Sequence, residues 1–319
     1  MSGTITVGII GTGWVGSSVA ISTLHAGVAN ELLLSDLRGE VAEGEAMDLE
    51  HGAAFYPAAS VRTATVGEMD GADAIVIASG RGGRPDESRL DLLRDNATVL
   101  REIGRCLSGY AGIVVVVTNP VDVLTYVMAE SSDIPPERVI GTGTMLDTAR
   151  LRQVLGRELR LDPRSIHAQV VGEHGDSEVV LWSGARVGGI PLREWPGWSS
   201  EREQSVSQEV RTAAYEIIRR KGSTNHAIGL VTADLLRGLL RGERRILTIS
   251  RVQEGTLGQR GVALSLSTVV GKDGATKVLL PEMSAGEREA FDRSAEVLRR
   301  AVQSISPEFK APDERSSPA

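Results

Sequence analysis

An α/β architecture, built on a doubly wound parallel sheet with an α+β part behind it, is the fold class that three features of this 319-residue sequence predict. Short β-rich runs alternate with helical stretches through the first half, the signature of repeated βαβ units. Those runs are apolar on both faces, as in "IVVVV" (113–117), which suits strands covered by helices on either side. The second half changes texture and sets strand runs next to one another without helices between them.

Taken in order, "TITVGII" (4–10) predicts a first strand and "WVGSSVAISTLHAG" (14–27) a helix. "ELLLSD" (31–36) predicts a second strand, followed by a helix from residue 40. "ADAIVIAS" (72–79) leads into a glycine- and arginine-rich loop, "GRGGRPDESR", and then a helix through residue 107. "GIVVVVTNP" (112–120) is followed by the helical "VDVLTYVMAES". Beyond it come a helix at 145–159, strand or hairpin runs in "SIHAQVV" and "SEVVLWSGARVGGIPL", and helices at 199–220 and 225–240. Antiparallel strands "RILTISRV", "GVALSLSTVVG" and "TKVLLP" precede a closing helix at 284–305. No internal repeat and no linker separate the halves, so they are expected to pack as one body.

Composition narrows the function. Hydrophobic residues make up 41% and charged residues 24%, an ordinary globular balance. Aromatics at 3% and a net charge of −7 argue against nucleic acid as a partner, because phosphate backbones are met with excess Lys and Arg and bases with stacking rings. An anionic ligand must therefore be drawn by local arginines against the global field. Cys106 is the only cysteine and is expected to be a small packed side chain in a helix. The first strand follows the N-terminus with no signal-peptide pattern, and no run of 18 apolar residues occurs. A cytoplasmic protein without membrane contact is expected.

"GIIGTGWVGSS" holds Gly11-x-Gly13-x-x-Gly16 at the exit of a strand and the start of a helix, and Asp36 follows Gly16 by twenty residues at the end of the next strand. The glycine pattern alone is weak; in this context it predicts a dinucleotide site. Gly11 permits the turn, Gly13 lets the backbone approach a pyrophosphate, and Gly16 lets the helix pack close. The helix start contributes N–H donors and partial positive charge. Trp14 and Val15 in the same turn, and Ser79 and Gly80 at the end of the third run, are counted with this site. Asp36 should accept from ribose hydroxyls and repel a 2′-phosphate, favouring NAD over NADP, although Arg38 is the kind of cation a 2′-phosphate uses.

Three further pieces match what oxidation of a 2-hydroxy acid requires. Asp147 and Arg150 stand at i and i+3 in "GTGTMLDTAR" and share a helix face. His174 lies in the glycine-flanked turn of "VVGEHGDSEVV", and Asn119 follows a buried strand at the edge where doubly wound sheets bind ligands. Arg150 offers a planar fork for a carboxylate. His174, ordinarily near pKa 6.5, can take or give the substrate's proton. Asp147 would fix the imidazole's tautomer and stabilise its cation. Arg89 would polarise the carbonyl, and Asn119 would orient the substrate. Singly, each residue has an ordinary structural explanation, a surface ion pair or a hydrogen-bonded histidine; it is their combination with the nucleotide turn that points to function. No metal site is expected.

The segments "GIIGTGWVGSSVA", "RPDESRLDLLRDN", "TNPVDV", "GTGTMLDTAR", "GEHGDSEVVLWS" and "KGSTNHAIG" together resemble the L-lactate/malate dehydrogenase family, and most of all its bacterial L-lactate dehydrogenases. The resemblance runs from residue 4 to about 305. It implies a Rossmann NAD domain (1–144) and an α+β catalytic domain (145–306); the proline-rich, polar residues 307–319 are expected to form a disordered tail. It also implies a homodimer or homotetramer and, for a lactate enzyme, a place in glycolysis. The family's catalytic pattern falls on Arg89, Asn119, Asp147, Arg150 and His174. Thr224 falls beside the substrate's small side chain, and Ile228 behind the nicotinamide.

Residues 80–90 resemble the family's mobile lid, which carries Arg89 into the site. The lid position that reads the substrate's side chain is Gln in lactate enzymes and Arg in malate enzymes; here it is Gly83, with Arg84 and Arg81 beside it. A pocket accepting pyruvate and bulkier 2-oxo acids is therefore expected. Arg152 and His167 fall where the family's bacterial lactate enzymes bind fructose 1,6-bisphosphate across a subunit interface, an allosteric site in expectation. The alternatives are a malate dehydrogenase and, from a different class, a redox-inactive NAD-binding scaffold or sensor. A related NAD-dependent glycosidase is disfavoured because it needs Cys/His metal positions.

Overall fold

The protein is described here from a computed structural model covering residues 3–82 and 89–305. The expectations for Gly83 and Arg84, for the middle of the lid and for the 307–319 tail lie outside the described residues, as does the side chain of Arg89.

Strands β1 (Thr6–Ile10), β2 (Glu31–Ser35), β3 (Ser60–Thr63), β4 (Ala74–Ile77), β5 (Ile113–Val116) and β6 (Val139–Gly141) pair in parallel in the order β3-β2-β1-β4-β5-β6. Helices α1 (Trp14–His25), α2 (Gly39–His51), α3 (Arg89–Cys106) and α4 (Val121–Ser132) lie between them in the chain. The second half adds α5 (Met145–Leu159), short strands β7 (Ile166–His167), β8 (Val170–Val171), β9 (Val179–Val180), β10 (Arg186–Val187) and β11 (Ile190–Pro191), and helices α6 (Ser200–Lys221) and α7 (His226–Leu240). It ends with β12 (Arg245–Glu254), β13 (Arg260–Gly271), β14 (Gly274–Val278) and α8 (Ala285–Ile305).

The doubly apolar strands are explained by their two cores. Ile75 and Ile77 of β4 pack into one cluster with residues of α3, α4 and α8, while Ala74 and Val76 pack into the other with residues of α1, α2 and α7. Each fully buried aliphatic, such as Ile77, contributes roughly 1.5–3 kcal/mol. Strand order reverses between β1 and β4, so the loops leaving these two strands open into one crevice.

The antiparallel strands of the second half continue this sheet to nine strands rather than forming a sheet of their own. The join is antiparallel pairing of Ser250 with Gly141, where a Cβ on Gly141 would come within 2.3 Å of Thr125 Oγ1. The hairpin strands are shorter than the sequence suggests: the turn at Gly188-Gly189, both with positive φ, joins strands of two residues each, and Pro191 has no N–H to extend the ladder. A third core, including Leu151, Leu155, Trp182 and Val206, seats α5 and α6 against these strands.

Cys106 departs from expectation, being exposed. The core stripe of α3 runs through Leu93, Ala97, Leu100 and Ile103, and at 100° per residue position 106 falls off it. No described helix is long and apolar enough to cross a membrane.

Candidate active site

The turn from β1 into α1 is shaped by glycines with different reasons for being glycine. Gly11 has φ +94°, and a Cβ there would lie 2.5 Å from the Ser79 backbone nitrogen, where the β1 and β4 loops meet. A Cβ on Gly16 would sit 1.8 Å from the Gly11 carbonyl oxygen. Gly13 is under no such constraint: a Cβ there meets nothing among the described residues within 4 Å. The fold does not need that glycine, whereas a phosphate group approaching the backbone does. Among the described residues no side chain caps α1, and no acidic residue stands in its first turn, which leaves its N–H groups and partial positive charge for an anion.

Asp36, just beyond β2, accepts from the Thr12 N–H at 2.9 Å and from the Arg38 N–H at 3.0 Å. Burial works against its charge, but these donors outweigh it and hold the carboxyl below its ordinary pKa. A carboxylate so fixed still has lone pairs for ribose hydroxyls. Trp14 is exposed and Val15 half-buried at the start of α1. Ser79 and Gly80 form the facing wall: Thr118 Oγ1 donates to the Ser79 carbonyl at 2.6 Å, and Gly80 adopts φ +153°, with Thr118 Cγ2 only 2.4 Å from where a Cβ would be. The donor set and the open backbone at Gly13 fit a pyridine dinucleotide.

On α5, the Asp147 carboxylate serves two cations. One oxygen lies 2.5 Å from His174 Nδ1, and the other accepts from Arg150 Nη1 at 2.9 Å. Asp147 is 2% exposed. Burial pushes its pKa up, but His174 and then Arg150 outweigh burial and keep it ionised. For His174, burial lowers the pKa while the Asp147 charge and hydrogen bond, and then Asp122, raise it to about 9. This favours the cationic imidazole at neutral pH, with Nδ1 directed to Asp147. The i,i+3 spacing read from the sequence does place Asp147 and Arg150 together on α5, with the carboxylate buried and the guanidinium partly so.

Several residues that matter here were not singled out by sequence reasoning. Asp122, in the first turn of α4, accepts from the His174 backbone N–H at 2.7 Å and so pins the histidine's turn. Burial raises its carboxyl to about 6, with Ser250 and His174 pulling the other way. Asn96 of α3 ties the loop after β4 to the loop after β5: its Oδ1 accepts from the Arg81 N–H at 3.0 Å, and its Nδ2 donates to the Asn119 carbonyl at 3.0 Å. Tyr215 of α6 donates to Asp176 at 2.7 Å, tying that helix to the turn after His174. Asp122 and Asn96 lie in the quoted segments "TNPVDV" and "RDN", so nearness to a motif was the available signal.

Asn119 is exposed between β5 and α4, its Oδ1 accepting from the Val121 N–H at 3.3 Å. Arg81, considered for the substrate, is paired with Asp95 at 2.6 Å. Thr224 is half-buried in the junction between α6 and α7. That junction docks on α1: Asn225 Nδ2 donates to Ser18 Oγ at 2.8 Å, and the Lys221 ammonium lies 5.9 Å from the Trp14 ring centroid. Ile228 packs beside the core that α1 and α7 share. Arg152 donates to the Ala168 carbonyl at 3.0 Å and lines a separate cavity of about 300 Å³ with Gln169, Asp234 and Arg245, while His167 is exposed on β7.

Two matches divide the chain between them. Residues 5–141 match the lactate/malate dehydrogenase NAD binding domain, and residues 144–308 the alpha/beta C-terminal domain of the same family. The chain belongs to the lactate/malate dehydrogenase family. As a member, it is an NAD-dependent oxidoreductase acting on 2-hydroxy acids. It is 46% identical over 301 residues to the L-lactate dehydrogenase of Salinibacter ruber, spanning 92% of this chain and 95% of that one. It is 41% identical over 309 residues to the L-lactate dehydrogenase of Kosmotoga olearia, spanning 94% and 96%. Among solved structures, the minor L-lactate dehydrogenase of Enterococcus mundtii in a ligands-bound form superposes with a TM-score of 0.92 at 37% identity, over 95% of this chain and 98% of that one. A lactate dehydrogenase from a Medee basin deep-sea metagenome library gives the same TM-score and identity over 96% and 100%.

Proposed function

We propose that this member of the family is an L-lactate dehydrogenase, interconverting pyruvate, NADH and a proton with L-lactate and NAD. The carrying observation is the single carboxylate of Asp147 that holds both a protonatable imidazole and a guanidinium fork. The names of its relatives support lactate over malate. So does Arg81, whose guanidinium is engaged by Asp95 rather than standing ready for a second substrate carboxylate, which would cost several kcal/mol to bury unpaired. A redox-inactive scaffold has no use for a proton carrier held this way.

Residues 1–144 supply most of the nucleotide site together with Arg89 and Asn119, and residues 145–306 supply Asp147, Arg150 and His174. When bound, the cofactor supplies or accepts a hydride. Arg150 grips the substrate's carboxylate with the edge it does not spend on Asp147. His174 donates its Nε2 proton to the carbonyl oxygen during reduction and takes it back during oxidation. Asp147 compensates the imidazolium throughout. Asn119 orients the substrate, and Arg89, at the start of α3, polarises its carbonyl. Gly11, Gly13, Trp14, Val15, Gly16, Asp36, Ser79, Gly80 and Ile228 hold the dinucleotide. Thr224 borders the substrate's side chain with Gly83 and Arg84 of the lid, and the absence of a side chain at 83 widens the range of 2-oxo acids. The enzyme works as a cytoplasmic homodimer or homotetramer, with Arg152 and His167 of neighbouring subunits receiving fructose 1,6-bisphosphate; the half-buried guanidinium of Arg152 in its own cavity supports that assignment.

The test is NADH and NADPH oxidation with pyruvate, 2-oxobutyrate, 2-oxoisocaproate, phenylpyruvate and oxaloacetate, with and without fructose 1,6-bisphosphate. Pyruvate with NADH is expected to lead, with measurable turnover of the bulkier acids. Exclusive use of oxaloacetate would overturn the substrate, and activation unchanged by Arg152→Ala the effector site.

A further inference from the structure

One buried acid beside the Asp147–His174–Arg150 cluster has no part in the reaction above. Glu178 precedes β9 and is 5% exposed. Its backbone N–H donates to the Gly175 carbonyl at 3.1 Å, closing the turn that carries His174. Its Oε1 is buried without a hydrogen-bond partner among the described residues, and the same is true of Nε of Arg211 on α6. The charged and titratable groups facing Glu178 are Asp147 and Arg150 from α5, His174 from the shared turn, and Arg211 from α6. Burial, and then the Asp147 carboxylate, push its carboxyl up to about 8 against the pull of the three cations.

A purely structural role explains this poorly. A buried carboxyl with an unsatisfied oxygen is costly, and an apolar side chain of similar volume would avoid that cost. Such a group next to a reactive pair is better understood through its charge. At neutral pH it holds its proton and adds no anion to the cluster. On ionising it becomes a second buried anion, acting on Arg211 and on the Arg150 guanidinium that a substrate carboxylate needs.

Building on the reading of Arg150 as the carboxylate grip, we propose that Glu178 is a positioning residue that sets the pH range of that grip. Neutral, it leaves the field of Arg150 and Arg211 to an incoming carboxylate; ionised, it draws on both and repels the substrate. Binding above its ionisation then requires uptake of a proton, so affinity falls about tenfold per pH unit. Loss of the His174 proton adds a second step of the same size.

The experiment is equilibrium binding of oxamate, a non-reducible isostere of pyruvate, to the enzyme–NADH complex between pH 6.5 and 10. For the native chain, log Kd is expected to be flat to about pH 8, to rise with slope one, and to steepen towards slope two beyond about pH 9. Glu178→Gln should bind oxamate within about threefold of the native enzyme at pH 7 and stay flat to about pH 9, with one step only. Glu178→Asp should restore both steps. A Gln variant that keeps two steps overturns the inference. So does a native profile with a single step near pH 9, a result that does not depend on any variant folding. Absence of oxamate binding to the native enzyme at every pH would remove the grip itself and this inference with it; intact binding with an unaltered pH dependence removes only the part given to Glu178.

Discussion

Asp147 Oδ2 lies 2.5 Å from His174 Nδ1, and that contact decides the charge of the imidazole. Burial by itself would make His174 a weaker base than free histidine; the carboxylate reverses this and carries the pKa to about 9. Asp147→Asn keeps the shape and a hydrogen-bonding oxygen but removes the charge. The alkaline limb of kcat/KM for pyruvate reduction should then move down by more than one pH unit, and turnover at pH 8 should fall roughly a hundredfold, within the range general acid catalysis contributes. A limb still near pH 9 in this variant would mean that Asp147 does not set the proton affinity of His174.

His174→Asn removes the proton carrier while leaving the nucleotide turn untouched. Loss of a positioned acid or base costs about 10²–10⁴-fold in rate. Pyruvate reduction should fall by that amount, with the dissociation constant for NADH, followed by its fluorescence, changed less than about threefold. Turnover near the native rate would reject the proton-transfer role.

The buried titrating groups also shift stability, and in an unusual direction. His174 has a folded pKa of about 9, above its ordinary 6.5, so its contribution is complete below pH 6.5 and is lost as pH rises through 9. Asp122 at about 6 and Glu178 at about 8 are likewise raised, so each favours the folded state more at low pH and less as pH climbs through its folded value. A one-unit shift corresponds to about 1.4 kcal/mol. The melting temperature of the ligand-free enzyme should therefore decline between pH 6 and 9, and calorimetry on Glu178→Gln should show a shallower decline between pH 6 and 8. A native melting temperature that rises across this interval would contradict the assignment.

Much of this was legible in the residues, for reasons that can be named. Gly11 and Gly16 announce themselves because backbone atoms lie where their Cβ would be, and such positions leave glycine in the sequence whatever the ligand. Asp147 and Arg150 could be paired because helical spacing fixes which side chains share a face. The partnership of Asp147 with His174, 27 residues away, and that of His174 with Asp122, 52 residues away, rest on long-range packing that no local pattern encodes. Glu178 was passed over because an acid after a Gly-Asp-Ser turn looks like a solvated residue; only the fold shows it 5% exposed. Likewise the antiparallel strands gave no sign that they would join β6, since the join depends on one glycine at 141 meeting Ser250.

Gly13 and Gly16 separate what the fold requires from what the cofactor requires. At Gly16 an added methyl would lie 1.8 Å from the Gly11 carbonyl oxygen, which is backbone and cannot swing aside. Gly16→Ala should destabilise the enzyme by about 3 kcal/mol or more, at the upper end of overpacking costs, and lower the melting temperature with or without NADH. At Gly13 the same methyl enters open space, so Gly13→Ala should melt within a degree or two of the native chain. That space lies at the start of α1, where the uncapped N–H groups await a pyrophosphate, and a methyl there keeps the phosphate from the donors. Affinity for NADH should weaken at least about tenfold, since one charge-assisted hydrogen bond is worth roughly 1.5–3 kcal/mol. Titration of NADH fluorescence alongside thermal melts of both variants makes the comparison, and a Gly13→Ala enzyme that binds NADH as tightly as the native one would place the pyrophosphate somewhere other than this turn.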